Sequence, residues 1–101
     1  MNEKNNINEV NDLLLGGDGA ANVLEKLTES LKTRVIRAAM QMNDHADKKD
    51  LPRNRVNYGV MIEALRVLHE LCYDTDSAVW ADGDFLICEK ITINGKAVFM
   101  R

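Results

Sequence analysis

Hydrophobic positions keep a helical period up to about Tyr73 and an alternating one beyond it. The richest helical stretch is 56–73, VNYGVMIEALRVLHELCY. At the helical step of about 100° per residue, Val60, Met61, Ile62, Ala64, Leu65, Val67, Leu68, Leu71 and Cys72 cover an arc of about 220°. That is wider than the stripe of an ordinary surface helix and predicts neighbours on two flanks. Glu63, Arg66 and Glu70 share the remaining strip, at spacings that let the arginine pair with either glutamate.

Upstream, Ala20, Leu24, Leu27, Leu31, Val35, Ala38 and Met42 recur at steps of three or four, predicting a long amphipathic helix over 20–45 with Asp18 as its N-cap. Ile36 and Met40 form a second apolar spot one turn apart, off that stripe. It suits an N-terminal helix or a subunit interface. The polar residues 1–6 read as a frayed tail, and Ile7, Val10, Leu13 and Leu14 as a short helix ending at Gly16-Gly17. Residues 46–55, ADKKDLPRNR, read as the connection that lets the two long helices fold back as an antiparallel pair, with the break near Pro52.

After Tyr73, Asp82-Gly83 and Asn94-Gly95 are each flanked by strand formers, the signature of hairpin turns. They predict a three-stranded antiparallel meander over 78–81, 84–93 and 96–100. Strict alternation puts Ala78, Trp80, Phe85, Ile87, Ile91, Ile93, Val98 and Met100 on one face, the natural side for the helices. Val79, Leu86, Cys88, Lys90, Thr92 and Phe99 then face outward. The expected fold is α+β: a short N-terminal helix, then two long antiparallel helices on a C-terminal meander, as one domain over 7–101.

Composition narrows the class. A chain of 101 residues, 46% hydrophobic and 29% charged, suits one compact domain with a modest core. The net charge of −3 lacks the basic excess of a dedicated nucleic-acid binder. No run approaches a membrane span, the first residues lack the apolar core of a signal peptide, and two cysteines inside apolar patterns read as reduced thiols in the cytoplasm.

Candidate chemistry is thin. His69-x-x-Cys72 offers two soft ligands where a zinc site needs three or four, so no metal or other cofactor is expected. The glycines before Asp18 lack the lysine and strand of a phosphate loop. No serine, cysteine, histidine and carboxylate pattern suggests catalysis. Three binding readings remain. An outward strip of Leu86, Cys88 and Phe99, with Ile36 and Met40 as a second surface, favours a small non-enzymatic protein-binding protein, a homodimer or a partner-complex subunit of the accessory, regulatory or inhibitory kind found in bacteria and phage. Arg34, Arg37, Lys48, Lys49, Arg53 and Arg55 could instead meet phosphates of a nucleic acid. Asp74, Asp76, Asp82 and Asp84 could offer an acidic decoy or toxin-neutralising surface to a basic protein.

Overall fold

The computed structural model describes residues 18–101, so the expected tail and short helix before Gly16 lie outside the described residues. The elements are α1 (Asp18–Asp47), α2 (Leu51–Glu70), β1 (Thr75–Asp82), β2 (Phe85–Ile93) and β3 (Lys96–Met100). The strands form an antiparallel sheet in the order β1-β2-β3, so the fold is α+β. The chain divides into two compact units at Ser30/Leu31, a point inside α1. In the first unit Val23, Leu24 and Leu27 are exposed.

The turn between the helices is only Lys48–Asp50, far shorter than the expected connection. Lys49 takes a left-handed φ of 59°, its N–H bonding the Ala46 carbonyl at 3.1 Å, while Asp50 N–H bonds the His45 carbonyl at 2.9 Å. Those two bonds satisfy the last carbonyls of α1. Asp50 then caps α2, its carboxylate accepting the Arg53 N–H at 3.2 Å. Pro52 sits in the first turn of α2, where a missing N–H costs nothing, so it marks a helix start rather than a break.

The helices run antiparallel: Asn54 reaches the Met42 carbonyl near the turn, and Lys32 stands over the Tyr73 ring at the other end. Leu31, Val35, Ala38, Ala39 and Met42 of α1 meet Met61, Ala64, Leu65 and Leu68 of α2 in one cluster. The buried arc of α2, from Ala64 to Leu65, is about 100° wide rather than 220°. Val60 and Ile62 are 39% and 38% exposed.

Both hairpins close on two-residue loops. Asn94 and Gly95 both have positive φ, 53° and 76°, as a type I′ turn requires. In the first hairpin Asp82 pairs with Phe85, so the loop is Gly83-Asp84 and only Gly83 has positive φ, the pattern of a II′ turn.

Strict alternation fails at two bulges. Ala78 pairs with Lys90 and Val79 with Cys88, which leaves Glu89 extra on β2. Ile91 pairs with Phe99 and Thr92 with Ala97, which leaves Val98 extra on β3. A bulge resets the period-two count. Leu86 and Cys88 before Glu89 therefore share the helix-facing side with Ile91 and Ile93 after it. Cys88 is fully buried, and Val79, Leu86, Val98 and Phe99 pack against the same cluster. The expected faces are thus partly reversed: Ala78, Trp80 and Met100 are exposed on the far side, with Ile87 buried across from Trp80.

Two asparagines lock this arrangement. β3 pairs with β2 only over Lys90–Ile93, leaving the main chain of Leu86 and Cys88 without a strand partner on that side. Asn54 of α2, fully buried, donates to the Leu86 carbonyl at 2.9 Å and accepts its N–H at 3.0 Å. Asn43 of α1 does the same for Cys88, at 2.9 and 2.8 Å. Each carboxamide supplies the donor and acceptor that a neighbouring strand would have offered.

Candidate functional site

The expected outward strip is not there. Unbroken alternation puts Leu86, Cys88 and Phe99 on the solvent face; the Glu89 and Val98 bulges turn them onto the helices. Burial out of water also pushes the Cys88 thiol up in pKa, which keeps it protonated and inert.

Ile36 and Met40 stand differently. Met40 is 60% exposed and Ile36 half-buried, and with Thr33, Arg37 and Gln41 they line a shallow hollow of about 340 Å³ on the outer side of α1.

Four of the six basic candidates make contacts within the chain. Lys48 pairs with Asp44 at 2.8 Å, Arg53 with the capping Asp50 at 2.8 Å, and Lys49 lies over the Phe85 ring at 5.3 Å. Arg55 donates to the Asp84 carbonyl, tying α2 to the first hairpin turn. The side-chain hydrogen bond from Lys48 lowers the pKa of the Asp44 carboxyl, and that from Arg53 lowers the pKa of Asp50. Arg34 and Arg37 are exposed on α1.

Nor do the four aspartates converge. Asp74 and Asp76 lie at the start of β1 and Asp82 and Asp84 at its far end, on the order of 20 Å apart at a strand rise of about 3.3 Å per residue. Asp76 accepts the Ser77 N–H at 2.9 Å through one carboxylate oxygen. His69 and Cys72 are both exposed, and no group of three metal-ligating side chains occurs among the described residues.

Two features have no counterpart in the sequence reading. On the far face of the sheet, Trp80 Nε1 donates to Glu89 Oε1 at 2.7 Å, Arg101 donates to the same oxygen at 2.9 Å, and the guanidinium sits 5.8 Å from the Trp80 ring centre. The indole hydrogen bond, and after it Arg101, holds the Glu89 carboxyl below the usual range. The bulge at Glu89 aims that carboxylate, so no local sequence signal announces the group. The second feature is an open groove of about 310 Å³ between α2 and the start of β1, lined by Ile62, Leu65, Arg66, His69, Thr75, Asp76 and Ser77. Arg66 is held by both Glu63 and Glu70, as the helical spacing predicts.

Comparison with protein-family models, curated proteins and solved structures returns no match. No helix among the described residues is long and apolar enough to cross a membrane.

Proposed function

We propose that this chain is a small non-enzymatic protein-binding module of accessory or regulatory kind, working in the cytoplasm as a homodimer through the outer side of α1. One observation carries the reading: the exposed Met40 beside Ile36, in a hollow bounded by the uncharged Thr33 and Gln41 and by Arg37. A flexible thioether over an apolar floor is suited to contact with another protein surface. Both cysteines are free and Cys72 is exposed, which suits a reducing compartment. The basic side chains tied up in internal contacts lend no comparable support to nucleic-acid binding.

Sedimentation velocity over rising concentration tests this. The wild-type chain should form a reversible dimer, and Met40→Asp should sediment as a monomer with unchanged helicity. A wild-type chain that stays monomeric up to millimolar concentration contradicts the reading, as does a dimer indifferent to Met40→Asp.

A further inference from the structure

Among the described residues β1 is an edge strand, with no strand on its outer side. Asp82 and Phe85 close the first hairpin, so alternation directs the main chain of Asp82, Trp80 and Ala78 to β2 and that of Ala81, Val79 and Ser77 away from it. Ser77 agrees: its N–H goes to the Asp76 carboxylate rather than to β2. The edges differ in protection. β3 carries Lys96 and a bulge at Val98 and is followed by Arg101, all devices that discourage a further strand. β1 runs eight residues with no proline, no lysine and no extra residue of its own.

Chemistry beside that edge selects the occupant. Asp76, Ala78, Trp80 and Asp82 fall on its far face, between Asp74 and Asp84, and no basic residue occurs from Cys72 to Cys88. The cations of that face, Lys90 opposite Ala78 and Arg101 on Glu89, belong to the inner strand and the residue after β3 rather than to the edge. On the helix side the same edge borders the groove floored by Ile62 and Leu65. The cation at its rim, Arg66, is neutralised by two glutamates. A second copy pairing β1 on β1 would set aspartate against aspartate, which like charges across strands disfavour.

We propose that β1 accepts an extended segment of another protein by strand addition, with alternating basic and apolar residues. The segment's main chain bonds Val79 and Ala81, its lysines or arginines meet Asp76 and Asp82, and its apolar side chains enter the groove over Ile62 and Leu65. This surface is separate from the α1 face proposed for dimerisation, and the two fail in different experiments.

The probe is a blocked peptide alternating lysine and valine, with its glutamate-valine counterpart as control. Trp80 is the sole tryptophan and lies on β1, so its emission reports binding, and amide exchange locates it. The lysine peptide should shift Trp80 emission and slow exchange at Val79 and Ala81, and the glutamate peptide should do neither. Ala81→Pro removes an amide that β2 does not use and should abolish binding while leaving the fold intact. Asp76→Asn with Asp82→Asn should weaken binding about fivefold, the size expected for two rim ion pairs. No response to saturating lysine peptide at low salt overturns the proposal. So does an equal response to the glutamate peptide, an unaltered response in Ala81→Pro, protection confined to residues outside 75–82, or a second copy occupying the β1 edge.

Discussion

At the scale of single residues, Glu89 is the position on which the sheet turns. It is the extra residue of β2, and its carboxylate gathers the Trp80 indole and the Arg101 guanidinium. Sequence alternation treats it as one more member of a face, since nothing in LICEKIT distinguishes a bulged glutamate from a paired one. That slip turns Leu86 and Cys88 to the helices, and the second bulge, at Val98, does the same for Phe99. The lowered pKa of Glu89 has a signed consequence. Its contribution to stability is present above the carboxyl's unfolded value and lost as pH falls through the lower folded one. Acid titration of Trp80 fluorescence should therefore show a midpoint below the ordinary glutamate range, and Arg101→Gln should raise it. A midpoint within the ordinary range would mean that the carboxylate is not held there.

At the scale of elements, most of the chain was legible. The change of period near Tyr73, three strands, the Asn94-Gly95 turn and two long helices all follow from local pattern. The helix connection was not, because the run of charges in ADKKDLPRNR masked a signal already present: Asp50 followed by Pro52, a cap and a first-turn proline. The end of α2 shows how local preference yields to packing. Tyr73 N–H bonds the Leu68 carbonyl and Cys72 N–H that of His69, with Cys72 at a φ of 71° where glycine is the usual choice. Gly59, by contrast, sits inside α2 with open space where a Cβ would go. Cys72→Gly and Gly59→Ala should therefore each stabilise the chain, by about 1 kcal/mol. Urea denaturation of the two variants checks this, and a loss of stability in either would contradict the geometry assigned to that position.

At the scale of the whole molecule, the second unit is held by an exchange of roles between side chain and backbone. The short β3 leaves β2 half unpaired, and the helices complete it with Asn43 and Asn54 rather than with another strand. Asn54 was readable in principle, being a polar residue on the same side of α2 as Met61, Leu65 and Leu68. Its partner strand was not, because that depends on where β3 stops. Removing its carboxamide strands the Leu86 N–H and carbonyl in the interior, at a cost of about 3 kcal/mol.

Native-state hydrogen exchange at the Leu86 amide, in the wild-type chain and in Asn54→Ala, tests this most directly. The wild-type amide should exchange as slowly as those of the buried core, and Asn54→Ala should bring it towards the fast exchange of Ala81 on the open edge of β1. A wild-type Leu86 amide already as fast as Ala81, or one equally slow without Asn54, would contradict the claim that helix asparagines finish the sheet.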